Sequence, residues 1–214
     1  TMEFEIMPAF HGELKALEES YQVAKAEGMT HSGELLTLIE QMKQVAVKGK
    51  LEAVTSWIAE FLETGEKLVV FATHHFAVDA IMSAFPEVAV KLTGESSMDE
   101  RQKAVDQFQN NSAVKLFVGN IKAAGVGITL TSASTVAFVE FAWTPGEHEQ
   151  AEDRCHRIGQ KNAVNIYYLI SNAAIERKIA ELIQAKSAIL NAVLDGDMQG
   201  IRNLSIFKEL AEQF

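Results

Sequence analysis

The chain has 214 residues, of which 48% are hydrophobic and 22% are charged, and it contains 3 Pro and 13 Gly. This composition is sufficient to bury a sizeable core, and it excludes disordered and collagen-like proteins. The formal net charge of −10 at pH 7 excludes a protein that coats nucleic acid through a broadly basic surface.

The predicted elements alternate between helices and strands. Residues 12–48 predict one or two acidic amphipathic helices, and residues 51–62 predict a further helix. Five short runs rich in β-branched and aromatic residues predict strands, at 67–71, 88–92, 114–118, 135–141 and 164–170. The last strand is followed by a long predicted helix over 175–193 and a weaker one after residue 196. Strands that alternate with helices of this length predict an α/β fold with a parallel sheet.

Two of the intervening helices begin with sequence signals for capping. Ser97 and Glu100 have the spacing of a capping box, and so do Thr144 and Glu147. In the second box Pro145 occupies the first helical position, where its missing N–H leaves no hydrogen bond unmade. We therefore predict helices after Ser97 and after Thr144, the second of which extends to residue 157.

The second capped helix carries a pair of arginines. Gln150, Arg154 and Arg157 stand at positions i, i+4 and i+7, so a helix through residue 157 places all three on one face. Two guanidinium groups on one stripe suit the oxygens of a phosphate. The spacing fits equally well a solvated face whose arginines form weak salt bridges with Glu152 and Asp153. Both interpretations stay open on spacing alone.

Ligands in open parallel sheets bind beyond the carboxyl ends of the strands, so the loops there are candidate sites. After the strand at 114–118, Gly125 and Gly127 permit close backbone approach, and Lys122 could meet a phosphate. A Gly-x-Gly pair more often only shapes a turn. After the first strand, the adjacent His74 and His75 point in different directions, which favours helix-start hydrogen bonding or a phosphate contact over a metal site.

Several signals are absent from the sequence. Cys155 is the only cysteine, so an internal disulfide is excluded, and we predict a small packed residue rather than a nucleophile. No phosphate-binding loop of the type Gly-x-x-x-x-Gly-Lys-Ser/Thr occurs. No apolar run or signal pattern predicts a membrane partner or secretion. We expect a soluble intracellular protein, cytoplasmic or nucleoid-associated in a prokaryote and nuclear in a eukaryote.

Residues 150–160, QAEDRCHRIGQ, resemble the sixth conserved helicase motif of SWI/SNF-type DNA translocases in helicase superfamily two. Three earlier segments resemble other parts of this family in the same order: 68–72 (motif four), 93–108 (the segment that follows it) and 122–130 (motif five). The resemblance runs from about residue 46 to residue 194 and corresponds to the second of two RecA-like lobes. Residues 71–75 and 141–146 are most similar to the branch that includes the annealing helicases.

The resemblance implies a lobe of the phosphate-loop NTPase superfamily that has helices on both faces of its sheet but lacks its own phosphate loop. ATP with Mg would be bound mainly by the absent first lobe, over which this lobe closes. Arg157 would be the arginine finger and Arg154 the second phosphate contact. Gln150, Gly125 and Gly127 would complete the nucleotide contacts, and no metal ligand is expected.

The resemblance also implies contacts to the backbone of double-stranded DNA at Thr73, His74, Ser96 and Lys122. Motif five departs from the commonest family pattern at residues 120 and 121, where asparagine and isoleucine replace serine and a second hydroxyl residue. The expected partners are therefore double-stranded DNA and the first RecA-like lobe of the same protein.

We expect three parts: an acidic helical extension or inter-lobe segment (1–45), a helicase C-terminal RecA-like lobe (46–195) and a helical tail (196–214). The expected function is the second motor lobe of an ATP-dependent translocase on double-stranded DNA, present here as a fragment that is inactive alone. One alternative is a non-catalytic RecA-like module that docks a partner through its acidic helices. Another is a lobe of an RNA-directed helicase, against which the RIGQ string at 157–160 argues by resemblance.

Overall fold

The computed structural model describes residues 1–28, 33–124 and 127–194. The strands there are β1 (Met2–Phe4), β2 (Leu68–Ala72), β3 (Ala89–Leu92), β4 (Leu116–Asn120), β5 (Thr135–Phe138) and β6 (Asn165–Ser171). The helices are α1 (Pro8–Ala26), α2 (Gly33–Leu62), α3 (His75–Ala84), α4 (Met98–Asn110), α5 (Ile121–Ala124), α6 (Pro145–Glu152) and α7 (Ala174–Leu194).

The strands of the described residues form one six-stranded sheet in the order β1-β6-β5-β2-β4-β3. Parallel pairing joins β6 to β5, β5 to β2, β2 to β4 and β4 to β3. The predicted α/β fold with a parallel sheet is confirmed, and the ends of the five predicted strands shift by at most three residues. Strand β1 was missed by the prediction, because three residues are too few to reveal an alternating pattern.

The long helix α2 corrects the prediction of a separate helix at 51–62. It runs from Gly33 to Leu62 without a break and crosses the predicted domain boundary between residues 45 and 46. Glycine is usually unfavourable inside a helix, but position 49 requires it because any side chain there would collide with Ile6. A Cβ built on Gly49 would lie 2.6 Å from Cγ2 of Ile6, and the Gly49 carbonyl accepts from the Met7 N–H at 2.9 Å.

The other predicted helices have mixed outcomes. Helix α4 begins at Met98 as predicted, with both hydrogen bonds of the Ser97–Glu100 capping box present. Helix α7 confirms the long helix predicted after the last strand. Helix α6 begins at Pro145 but ends at Glu152, five residues before the predicted end. The weaker helix predicted after residue 196 lies outside the described residues.

The chain divides into two compact units. The first contains Thr1–Phe4, Leu51–Ala142 and Gly146–Ile170, and the second contains Glu5–Lys50, Trp143–Pro145 and the residues from Ser171 onward. None of the helices in the described ranges combines the length and the apolar character needed to cross a bilayer.

The core of the first unit lies along the central strands. Every residue of β2, β4 and β5 is buried, which is typical of parallel strands covered on both faces. Phe71 and Phe138 pack with ring centroids 5.7 Å apart, and Phe108 of α4 packs edge-on against Phe117 at 5.5 Å. This rigid centre supports the loops that leave the carboxyl ends of the strands.

The second unit contains a buried ion pair. The ammonium group of Lys50 lies 2.6 and 2.7 Å from the two carboxylate oxygens of Glu176, and both side chains are almost completely buried. The Ser171 N–H donates to the same carboxylate at 2.6 Å. Such a pair is stable only while both partners are present, because either charge alone would be buried without compensation.

Candidate functional site

The sheet brings the candidate polynucleotide contacts to one edge. Strands β5, β2, β4 and β3 are consecutive neighbours and parallel, so the loops after their carboxyl ends leave the same edge. Thr73 and His74 follow β2, Ser96 lies in the loop after β3, and Lys122 follows β4. All four belong to the first unit.

The loop after β2 is held by a residue that the sequence analysis did not select. The carboxylate of Glu140, just beyond β5, accepts from the backbone N–H groups of Thr73 and His74 at 2.8 Å each. Its second oxygen lies 2.5 Å from Nδ1 of His74. The side chain of Glu140 has no exposed surface, while that of His74 is 14% exposed. The available sequence signal was a charged residue inside the otherwise apolar run 135–141.

Asn120 ties the loops after β2 and β4 together. Its side-chain amide donates to the Thr73 carbonyl at 2.6 Å, and its side-chain oxygen accepts from the Lys122 N–H at 3.1 Å. Lys122 is exposed, whereas Ile121 is buried in the core of the unit. The hydroxyl of Thr73 is buried and has no hydrogen-bond partner among the described residues. Of the two residues that depart from the family's motif-five pattern, Asn120 holds the two loops together and Ile121 packs in the core.

Ser96 belongs to a tight turn after β3. Its hydroxyl accepts from the Thr93 N–H at 3.1 Å, and its own N–H donates to the Thr93 carbonyl at 3.2 Å. Arg101 donates to the carbonyls of both Ser96 and Thr93. The turn is therefore fixed by α4, and the half-buried Ser96 lies within it.

The arginine pair does not lie on one helical stripe, which corrects the sequence prediction. Helix α6 ends at Glu152, and Arg154 and Arg157 follow in a series of turns. The Arg154 N–H donates to the Ala151 carbonyl, while its side-chain Nε donates to the Gln150 carbonyl at 3.0 Å. The guanidinium thus takes the place of the backbone N–H that would have continued the helix.

The two arginines have different environments. Arg154 is 8% exposed, and burial, followed by the positive charge of Arg157, lowers the pKa of its guanidinium from the usual value. Arg157 is exposed and donates through Nη1 to the Ile128 carbonyl at 3.1 Å and to Oγ1 of Thr129 at 3.0 Å. Two like charges that raise each other's energy favour a bound anion.

The remaining nucleotide candidates are less informative. Gln150 is exposed on α6, and Gly127 is exposed with φ of +62°, a conformation that strains other residues. Gly125 lies outside the described residues. No group of three or more His, Cys, Asp or Glu side chains that could hold a metal occurs in the part of the chain that is described.

An aromatic cluster packs beside the C-terminal end of helix α6. The Tyr168 hydroxyl donates to Glu152 at 2.8 Å, and burial raises the pKa of both groups. The Tyr168 ring stacks on Phe141 and Phe138 at centroid distances of 5.1 Å. Cys155 follows helix α6 and is completely buried in the same core cluster as Phe138. Burial raises the pKa of its thiol to about 12. It is a packed residue in the core, as the sequence predicted.

This parallel sheet and the helices that connect its strands define a RecA-like lobe. The chain belongs to the helicase conserved C-terminal domain family, whose model matches residues 49–159. The C-terminal domain of a Sulfolobus solfataricus SWI2/SNF2 ATPase has the same fold, with a TM-score of 0.70, 22% identity and coverage of 100% of this chain and 92% of that one.

Two further comparisons place the chain among SNF2-type lobes. The S. solfataricus SWI2/SNF2 ATPase core in complex with double-stranded DNA is 27% identical, with a TM-score of 0.74 over 98% of this chain and 46% of that one. The mouse DNA annealing helicase and endonuclease ZRANB3 is 35% identical over 214 residues, which is 96% of this chain and 20% of that protein. The chain thus spans about a fifth of the length of this relative. The resemblance to a SWI/SNF-type second lobe is confirmed.

Proposed function

We propose that the chain is the second motor lobe of an ATP-dependent translocase that acts on double-stranded DNA. The observation that carries this proposal is the pair of guanidiniums, Arg154 and Arg157, which both lie beside residues 128–130 in a RecA-like lobe whose sequence has no phosphate loop. The relatives support it, because the SWI2/SNF2 core was solved with double-stranded DNA and ZRANB3 is named an annealing helicase.

ATP with Mg²⁺, held mainly by a first lobe, would supply the phosphoryl group whose transfer to water drives movement. Arg157, the exposed member of the pair, acts as the arginine finger that neutralises charge on the transferred group. Arg154, buried and braced by the Gln150 carbonyl, is the second phosphate contact. Gln150, Gly125 and Gly127 remain proposed nucleotide contacts.

The nucleic-acid contacts are proposed at the edge shared by β2, β3 and β4. Lys122 supplies a positive charge, while Thr73, His74 and Ser96 supply polar groups in loops fixed by hydrogen bonds. Contacts to phosphates position the polynucleotide but do not read its sequence, so little base specificity is expected. The three-part division of the chain at 1–45, 46–195 and 196–214 stays a proposal. An intracellular location, cytoplasmic or nucleoid-associated in a prokaryote and nuclear in a eukaryote, also stays a proposal.

The decisive experiment replaces Arg157 in the complete protein that carries this chain with its first lobe. Arg157→Ala should lower DNA-stimulated ATP hydrolysis by about a thousandfold or more while ATP binding is largely retained, because the finger acts on the transition state. His156→Ala is the matched control, since His156 is the adjacent exposed side chain. A near-normal turnover number for Arg157→Ala would remove Arg157 from the finger role. An unmodified complete protein that hydrolyses no ATP in the presence of DNA would instead favour a non-catalytic docking module.

A further inference from the structure

Glu140 joins two loops that the sheet brings side by side. It follows β5, and the neighbouring strand β2 leads into Thr73 and His74. Its carboxylate accepts hydrogen bonds from both backbone N–H groups and from the imidazole ring. A carboxylate buried this completely is costly unless it is hydrogen-bonded, so these contacts hold each other in place. Glu140 therefore fixes the backbone and the side chain of the loop together.

The orientation of the His74 ring is set from two sides. An ionised carboxylate can only accept hydrogen bonds, so Nδ1 of His74 carries the hydrogen that points to Glu140. The ring also stacks on Phe76, with centroids 5.2 Å apart and an interplanar angle of 26°. These two contacts orient the His74 ring at the edge where the polynucleotide contacts are proposed.

We propose that Glu140 is a positioning residue for polynucleotide contact, acting through His74 and the two N–H groups of the loop after β2. This inference rests on the proposed function of that edge. Glu140 does not touch the polynucleotide, because its side chain has no exposed surface and its charge would repel a phosphate. Removal of that negative charge should tighten binding if only long-range charge matters, but should weaken binding if positioning matters. The sign of the effect separates the two explanations.

The test uses the complete two-lobe protein and measures the concentration of double-stranded DNA that half-maximally stimulates ATP hydrolysis. In Glu140→Gln, one oxygen can still accept from the two backbone N–H groups, but an NH₂ group replaces the acceptor of the His74 ring. We expect the half-saturating DNA concentration to rise about three- to tenfold, which corresponds to the loss of one hydrogen bond. Glu95→Gln, an exposed carboxylate in the loop after β3, is the matched control and should not raise that concentration.

Two further measurements make the result specific to His74. In a His74→Ala background, Glu140→Gln should cause no additional rise, because the two residues act as a unit. Imidazole ¹⁵N spectra of the unmodified chain should show His74 protonated at Nδ1, and a neutral ring protonated only at Nε2 would overturn the proposal without any variant. An unchanged or lower half-saturating concentration in Glu140→Gln would also overturn it. Failure of the proposed function would look different: the unmodified protein would show no stimulation by DNA.

Discussion

Arg154 and Arg157 carry the same charge but do different work in the structure. Arg154 is buried, and its side chain donates to the Gln150 carbonyl at the end of helix α6. Arg157 is exposed and donates hydrogen bonds to the Ile128 carbonyl and the Thr129 hydroxyl. A buried, braced guanidinium suits a fixed phosphate contact, while an exposed one can reach a group on another lobe. These different environments are compatible with the two roles proposed above, which Arg157→Ala tests.

Cys155 provides a prediction at the scale of a single residue. Its pKa of about 12 means that the thiolate, which is the reactive form, is negligible in the native protein between pH 7 and pH 9.5. A disulfide reagent such as DTNB should therefore modify Cys155 only as the protein unfolds, with one thiol per chain released in denaturant.

The control for this labelling is a thiol on the surface. In Cys155→Ala combined with Lys161→Cys, the thiol is exposed and should react within minutes, faster as pH rises through about 8.5. Rapid, stoichiometric labelling of Cys155 in the native chain would contradict its burial.

At the scale of elements, helix α4 is stabilised at its start by a reciprocal cap. The Glu100 carboxylate accepts from the Ser97 N–H at 2.8 Å and from the Ser97 hydroxyl at 2.9 Å, while the Glu100 N–H donates to the Ser97 hydroxyl at 3.3 Å. The bond from the Ser97 backbone is the main cause that lowers the pKa of Glu100 below 4.5. Helix α4 in turn fixes the turn that contains Ser96.

The cap predicts a pH dependence of stability. Because the pKa of Glu100 is lower in the folded state, its contribution is complete above about pH 4.5 and is lost as pH falls through the folded pKa. Urea denaturation should find Glu100→Gln less stable than the unmodified chain at pH 7, with the difference vanishing in acid. Ser97→Ala should cost about 1 kcal/mol at pH 7, whereas Glu95→Gln, which makes no cap, should not. A Glu100→Gln difference that persists below pH 3 would contradict this account.

At the scale of the whole molecule, the sequence contains the proposed phosphate contacts but no Gly-x-x-x-x-Gly-Lys-Ser/Thr loop that could hold a triphosphate. We therefore expect purified 1–214 to hydrolyse no ATP above background, with or without double-stranded DNA. The complete protein, assayed under the same conditions, is the control and should show DNA-stimulated hydrolysis. Robust turnover by the isolated chain would contradict the assignment of a second lobe.

The sequence by itself determined the features that depend on local pattern. Continuous apolar runs located five strands, three of which (β2, β4 and β5) are buried throughout, as parallel strands covered on both faces are. The spacing of Ser97 and Glu100 located the start of α4, since a cap is built from residues three apart. The string at 150–160 identified the family, and the predicted contacts after β2, β3 and β4 met at one edge because parallel strands end together.

Only the tertiary structure decided the features that depend on distant residues. Helix α6 ends early because the Arg154 side chain takes the Gln150 carbonyl and Leu130 donates to the Arg154 carbonyl at 2.8 Å, and spacing alone could not reveal this competition. Glu140 reaches His74 across 66 positions of sequence only because β5 and β2 are neighbours in the sheet. The partners of a buried charge come from distant parts of the chain. The local sequence therefore shows that Glu140 is an unusual residue in an apolar run but does not reveal that it binds Thr73 and His74.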